Sequence, residues 1–353
     1  MKLLKCALLS AVFALISTPI SQAAETPKPN TPATDTGKAK IGRPVRIITI
    51  GQRKPEQMAE FVDRQAASGA DLIVLPETWP GLRKPITLDD PLMKAIAAVA
   101  KKHHTYIISP IDRQDGDIVY NSSVLIDRQG KIAGIYNKVF PVLADPPGQT
   151  VNGEFGSLNG RPGRDAPVFE TDFGRIGMAL CFDGQFPELW HRLEENGAQL
   201  VLFSSMYSGG QALGAYAMLH HYYVVSCTNG GECQAYDLTG EKLLDQRKGL
   251  ARITLDMDRT ICHTNDYYNH WPVRGKKLEK LLKENPGVVI DKKMPREEWY
   301  VLKATQPGVD VPALLKKYDM QDLRTYLRKQ RQQGAKLRGF DFKRLGPPAQ
   351  TAK

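Results

Sequence analysis

The stretch Met178-Ala179-Leu180-Cys181-Phe182-Asp183-Gly184-Gln185-Phe186-Pro187-Glu188 narrows the folds open to this chain more than any other. Ahead of it, Arg175 to Leu180 is apolar and β-prone; behind it, a Gly-Gln-Phe-Pro-Glu turn starts a helical pattern through Leu189, Trp190 and Leu193. The reading is a strand that ends in a thiol. A cysteine at a strand-to-helix junction lies at the carboxyl edge of a sheet, where its sulfur can be exposed and where helix N-termini favour the thiolate. A buried structural cysteine is the alternative for any single Cys in an apolar segment, so function must come from what else converges on it.

Strands and helices alternate through much of the chain. Val45 to Ile50 is a β-branched strand, and Pro55 to Ser68 carries Met58, Phe61, Val62 and Ala66 at helical spacing. Asp71 to Leu75 is a continuous apolar strand of the kind buried on both faces, and it runs into Pro76-Glu77. A helix over about Pro91 to Lys102 precedes strands at Tyr106–Pro110, Ser122–Asp127 and Lys131–Tyr136, the last two joined by the turn Asp127-Arg128-Gln129-Gly130. Lys138 closes that strand. Phe140 to Ala166 is irregular and rich in Pro and Gly. Beyond Cys181 the spacing predicts helix Phe186–Asn196, strand Gln199–Ser204, helix Gln211–His221, strand Tyr222–Cys227, two hairpin strands and Gly249–Leu255. Alternation mixed with hairpins argues for an α/β fold of layered sheets covered by helices. No G-x-G-x-x-G, Walker loop or G-x-S-x-G occurs, so dinucleotide, phosphate-loop and serine-hydrolase readings lack their motif.

Met1 to Ala24 has Lys2 and Lys5, an apolar run from Ala7 to Ile16, and then Ser21, Ala23 and Ala24. That is the pattern of a secretory signal peptide, with a core too short to span a membrane and cleavage after Ala23 or Ala24. Residues 25–43 read as a Pro/Thr-rich linker, residues 44–261 as the body and residues 262–353 as a basic, partly helical extension. The mature protein is expected to be soluble and periplasmic or secreted, without a transmembrane anchor. Cys181, Cys227, Cys233 and Cys262 are too few for a disulfide scaffold, although Cys233 and Cys262 could pair. The His103-His104 and His220-His221 pairs are adjacent, which points their side chains apart, and no metal site or cofactor is read.

Glu77, Lys138 and Cys181 each fall just past the end of an apolar strand. Together they supply a base, a cation and a nucleophile, as a thiol hydrolase requires. The surrounding motifs are Ala70-Asp71-Leu72-Ile73-Val74-Leu75-Pro76-Glu77, Tyr136-Asn137-Lys138-Val139, Gly174-Arg175-Ile176-Gly177, Cys181-Phe182-Asp183 and Phe186-Pro187-Glu188, with the hairpin Tyr120 to Asp127. In this order, over roughly Val45 to Ile261, the chain resembles the nitrilase, or carbon-nitrogen hydrolase, superfamily. The resemblance implies a four-layer α-β-β-α sandwich, assembly as a homodimer or higher oligomer, and a Glu77-Lys138-Cys181 triad acting on a small-molecule amide. It also implies a second active-site glutamate between the lysine and the cysteine, for which Glu154, ahead of Pro162-Gly163, is the candidate. Cys-Phe-Asp followed by Phe-Pro-Glu looks like the amidase and carbamoylase branches, since true nitrilases usually carry Trp-Glu after the cysteine. Linear amides or N-carbamoyl compounds are thus expected ahead of nitriles.

The chemistry follows from the residue types. A free thiol has a pKa near ~8.5, so neither its ionisation nor its proton can be left to solvent at neutral pH. Glu77 as base and Lys138 as neighbouring cation would correct that, with the oxyanion held by Lys138 and the backbone N–H of Phe182. Two other readings stand beside hydrolysis: an N-acyltransferase using the same acyl-enzyme, and a non-catalytic scaffold. Residues 262–353 hold 20 Lys and Arg against 10 Asp and Glu, whereas residues 25–261 hold 26 against 28, so the basic excess belongs to the extension. Weak contact of that tail with an anionic surface is conceivable on charge alone; without a nucleic-acid motif, nucleic acid is not an expected partner.

Overall fold

The computed structural model describes residues 40–142, 160–263 and 276–339. Two six-stranded sheets face each other, each covered on its outer side by a pair of helices, which gives the α-β-β-α sandwich expected. In the first sheet the order is β12-β1-β2-β3-β4-β5, with β1 Pro44–Ile50, β2 Leu72–Val74, β3 Tyr106–Asp115, β4 Ile118–Ile126, β5 Ile132–Asn137 and β12 Leu250–Asp256. In the second the order is β11-β10-β9-β8-β7-β6, with β6 Val168–Thr171, β7 Gly174–Leu180, β8 Leu200–Ser205, β9 Tyr223–Thr228, β10 Cys233–Tyr236 and β11 Lys242–Gln246.

Strand period explains why the apolar runs are unbroken. Side chains alternate across a sheet, so Ile47, Leu72 and Val74 enter the core between the sheets, while Ile48 and Ile73 enter the core beneath the outer helices. Those helices are α1 Pro55–Ala66, which buries Met58, Val62 and Ala66, and α2 Pro91–His103, which buries Met93, Ile96, Val99 and Ala100. Asp90 caps α2 by accepting from Leu92 N at 2.8 Å, and Pro91 fills the first helical position, where no N–H is needed. On the opposite side α3 Pro187–Glu195 and α4 Gln211–His220 bury Trp190, Leu193, Leu213 and Ala217 against β8 and β9. β3 runs five residues past Pro110, where the sequence reading stopped it. Pro110 and Ile108 present their backbone polar groups to the same side, and β2 pairs no further than Ile108, so the missing N–H breaks no ladder bond.

The extension combines helices with strands. Besides α5 Lys276–Glu284, α6 Val311–Lys317 and α7 Leu323–Arg338, it contains a three-stranded sheet in the order β13-β15-β14, formed by β13 Thr260–His263, β14 Val288–Met294 and β15 Trp299–Ala304. Cys262, Leu278, Leu281, Leu302 and Leu315 give it a small core of its own, while Ile261, Val301 and Leu323 join the core between the large sheets. The four cysteines 181, 227, 233 and 262 are free thiols, so Cys233 and Cys262 are not bridged. The signal-peptide segment lies outside the described residues, as does most of the linker.

Candidate active site

Three strand ends converge. Glu77 and Lys138 are each only 1% exposed, which removes the reading of either as a solvated surface group. Lys138 Nζ donates to Glu77 Oε1 at 2.9 Å, and Asn121 Nδ2 donates to the same oxygen at 2.8 Å. Glu77 Oε2 accepts from Met206 N at 3.1 Å, just past the end of β8. A carboxylate held by three donors, one within β4 and two just past the ends of β5 and β8, has its plane fixed, which is what a positioned base needs.

Cys181 follows β7 directly and has φ 47°, a left-handed backbone conformation that L residues rarely adopt. Strain of this kind costs on the order of 1–3 kcal/mol and persists only where the surroundings impose it. It turns the chain from β7 into the short 3-10 turn Cys181–Gln185 and leaves the cysteine half-buried at the sheet edge. Burial and the charge of Glu77 push the thiol above its ordinary range, against the pull of Lys138, the Met206 N–H and the Ser205 hydroxyl. Burial by itself would lower Lys138, but Glu77 and Cys181 carry it above the usual lysine value. The thiol thus holds its proton more tightly than a free cysteine does, next to the Lys138–Glu77 salt bridge. Phe182, next in the chain, packs edge-on against Phe186 at 5.2 Å, and Phe186 stacks on Phe140 at 3.8 Å. Glu154 lies outside the described residues.

Several supporting residues were not singled out from the sequence. Asp183 is fully buried and joins the lysine loop to the cysteine turn: Oδ2 accepts from Tyr136 Oη at 2.7 Å and Leu180 N at 2.9 Å, and Oδ1 accepts from Phe140 N at 2.9 Å. Tyr207 Oη donates to Cys181 O at 3.1 Å, and Asn229 Nδ2 donates to Glu77 O at 3.1 Å. Gly163 brings its N–H to Lys138 O at 2.8 Å; a Cβ there would stand 2.1 Å from Asn137 O, so only glycine allows the approach.

The histidines require a correction. His220 does meet other metal-type donors, because α3 and α4 pack side by side and bring donor atoms of His191, Glu194 and His220 within 4.8 Å of one another. Arg324, Arg328 and Arg331 stand 3.5–3.8 Å from Glu194, and that guanidinium cluster opposes a cation there.

The carbon-nitrogen hydrolase family model matches residues 54–260, more than half of the chain. A hydrolase of Schizosaccharomyces pombe is 29% identical over 164 residues, which is 43% of this chain and 50% of that protein. The deaminated glutathione amidase of Yersinia enterocolitica is 29% identical over 169 residues, 44% of this chain and 58% of that protein. The chain thus spans little more than half the length of these two curated relatives. Among solved structures, a mutant of the amidase from Nesterenkonia sp. AN1 has the acetamide moiety of fluoroacetamide covalently added at its active-site cysteine. It superposes with a TM-score of 0.50 at 16% identity, over 61% of this chain and 90% of that chain. At that identity the likeness is one of fold.

Proposed function

The chain belongs to the carbon-nitrogen hydrolase family, and from that footing we propose that it hydrolyses a linear amide or N-carbamoyl compound through an acyl-enzyme on Cys181. The observation that carries the reading is the buried 2.9 Å contact between Lys138 Nζ and Glu77 Oε1 beside a cysteine on a strained turn. Glu77 takes the thiol proton as sulfur attacks the carbonyl carbon. The carbonyl π electrons move to oxygen, which is stabilised by the Lys138 ammonium and the Phe182 N–H. One such donor is worth roughly 2.7–4 kcal/mol. As the oxyanion collapses, the C–N bond breaks and protonated Glu77 gives its proton to the leaving amine. Water, deprotonated by Glu77, then attacks the thioester and releases the acid and the thiol.

A tightly held thiol proton suits this sequence. Proton removal and attack are coupled, so no thiolate stands exposed between turnovers.

Assembly with a second copy is supported by α4, where Leu219 is 62% and Met218 41% exposed. Among the described residues no helix is long and apolar enough to cross a membrane. Export through residues 1–24 rests on the sequence pattern. Intact mass of the protein recovered from the producing cells tests it: a periplasmic or secreted form beginning after Ala23 or Ala24 is expected, and a cytoplasmic form retaining Met1 refutes it.

The deciding experiment is a panel of linear amides, N-carbamoyl amino acids and nitriles assayed for released ammonia, with Cys181→Ala in parallel. Amide turnover by the native chain and none by the variant is expected. Substantial turnover by the alanine variant removes the covalent route, and turnover of nitriles alone overturns the substrate class.

A further inference from the structure

Between the second sheet and the extension lies a cavity of about 590 Å³ whose wall carries seven arginines and lysines and a single acid, Asp322. None of Glu77, Lys138 and Cys181 lines it, so it is separate from the site described above. Its volume lies in the range of small-molecule sites. The one acid is already engaged, since Asp322 caps α7 by accepting from Thr325 N at 3.0 Å. Four of the cations have an acid outside the wall: Arg259 has Asp237 and Asp291 at 3.2 and 2.8 Å, Arg43 has Asp258 at 3.1 Å, Arg328 has Glu194 at 3.5 Å and Arg175 has Glu170 at 3.9 Å.

Arg324 is not compensated in the same way. Its Nη1 donates to Ala198 O at 2.7 Å and its Nη2 to Glu194 O at 3.0 Å, which fixes the guanidinium against the end of α3. Its Nε is buried without an acceptor, and the nearest Glu194 carboxylate oxygen, Oε1, is 3.7 Å away and shared with Arg328, while Arg331 stands by Oε2. Gln321 Oε1, in the same wall, is likewise buried without a donor. Arg43 Nε makes the third polar atom of these wall residues that is buried without a hydrogen-bond partner, so two donors and one acceptor lie unpaired just behind the surface of the cavity. The accepting part of a ligand must carry negative charge, because burial already weighs on the Arg324 cation and the surrounding wall is positive.

We infer that this cavity binds a hydroxylated organic phosphate, with the phosphate on the cationic wall around Arg324 and the ligand hydroxyls against Gln199, Gln321 and Thr325 of the same wall. A phosphate monoester concentrates about two charges and three acceptor oxygens in one group, which fits guanidinium donors better than a single carboxylate does. Its carbon skeleton lies against Leu238, Met257 and Leu315 in the same wall. Binding there joins the extension to the body, because the wall draws Arg175 and Gln199 from one and Lys316 and Arg324 from the other.

The test is calorimetric titration of the full chain with glucose 6-phosphate, glycerol 3-phosphate, inorganic phosphate and glucose, at ionic strength matched with sodium chloride. One saturable site is expected for at least one of the two esters, at least ten-fold tighter than for inorganic phosphate, and none for glucose. Arg324→Gln is expected to weaken it at least ten-fold. Should that variant not fold, Lys316→Gln combined with Lys329→Gln, both exposed positions, is expected to weaken it at least three-fold. The inference is overturned if neither ester binds, if binding is unchanged in the variants that fold, or if the chain binds only vesicles of phosphatidylcholine doped with phosphatidic acid, which would make the basic wall a membrane contact.

Discussion

Tyr136 donates a 2.7 Å hydrogen bond to Asp183, and both side chains are fully buried. Tyr136 belongs to β5 of the first sheet and Asp183 to the turn after β7 of the second, so this contact, with the bond from Phe140 N to Asp183, ties the lysine-bearing edge to the cysteine-bearing edge. The same tyrosine oxygen accepts from Val139 N at 3.3 Å, one residue past Lys138.

Tyr136→Phe removes that tie with almost no change in volume. It leaves the Val139 N–H without its acceptor and takes one of three donors from a buried carboxylate. A loss of about 1–3 kcal/mol in stability is expected, the usual cost of orphaning buried polar groups. Because Lys138 is placed through this strand end, kcat should fall by about ten-fold or more while Cys181 still reacts with iodoacetamide. Urea denaturation and steady-state kinetics on the amide identified by the panel check both; unchanged kcat in a destabilised variant would limit the contact to a structural role.

Lys138→Arg tests the oxyanion assignment. The ammonium is a compact donor in a pocket with 1% exposure, and a planar guanidinium cannot reproduce its position. A fall in kcat of at least about 10²-fold is expected, the loss of one oxyanion donor. Full burial adds a structural consequence, since forcing the larger group into the pocket should cost about 1–3 kcal/mol. A variant within a few-fold of the native kcat would take Lys138 out of the chemistry.

Glu77, Lys138 and Cys181 were legible in the sequence because each ends an apolar run, and the sheet edge is where such residues meet. Asp183 and Asn121 were not. Asp183 reads locally as a turn residue, and its role exists only because two strands 47 residues apart in sequence face each other across the core. Tyr136 offered a partial signal, since residues two apart on a strand share a face and it precedes Lys138 by two. In the extension β15 was missed for a different reason. Val301 faces the inter-sheet core and Leu302 the extension's own core, so the strand is buried on both sides and shows no alternation, while its neighbours Lys292, Lys293 and Glu298 suggest a solvated segment.

Thiol titration separates the influence of Glu77 on Cys181 from simple burial. Burial is the leading cause of the raised thiol and the Glu77 charge the next, so Glu77→Gln should shift the Cys181 titration to lower pH while abolishing hydrolysis. The other described thiols titrate higher, since burial pushes Cys233 up to about 11, Cys262 to about 12 and Cys227 further still, and Cys6 falls in the segment expected to be cleaved. Ultraviolet absorbance of the thiolate, followed from neutral to alkaline pH in both proteins, gives the shift. A move to higher pH in the glutamine variant would contradict the geometry.

Four buried groups should largely offset one another in the pH dependence of stability. Burial raises Asp112 and Asp183 from 3.8 to about 6, and it lowers His220 from 6.5 to about 3 and His221 to about 4. For the aspartates the folded value lies above the unfolded one, so their contribution is complete below about 3.8 and is lost as pH rises through about 6. For the histidines the folded value is depressed, so theirs is complete above about 6.5 and is lost as pH falls towards 3–4. Near pH 5 the unfolded chain holds two histidine protons and the folded chain two aspartate protons, so these four groups leave the slope of unfolding free energy against pH close to zero. Asp112→Asn removes one proton from the folded side. The amide oxygen can still accept from Arg83 N, as Asp112 Oδ2 does at 2.8 Å, and its NH2 falls at Oδ1, which has no partner. The variant should therefore show unfolding free energy rising by about 1.4 kcal/mol per pH unit around pH 5, the value for one proton. Urea denaturation at several pH values between 4.5 and 5.5 measures both slopes, and equal slopes in the two proteins would show that Asp112 is not protonated in the folded state there.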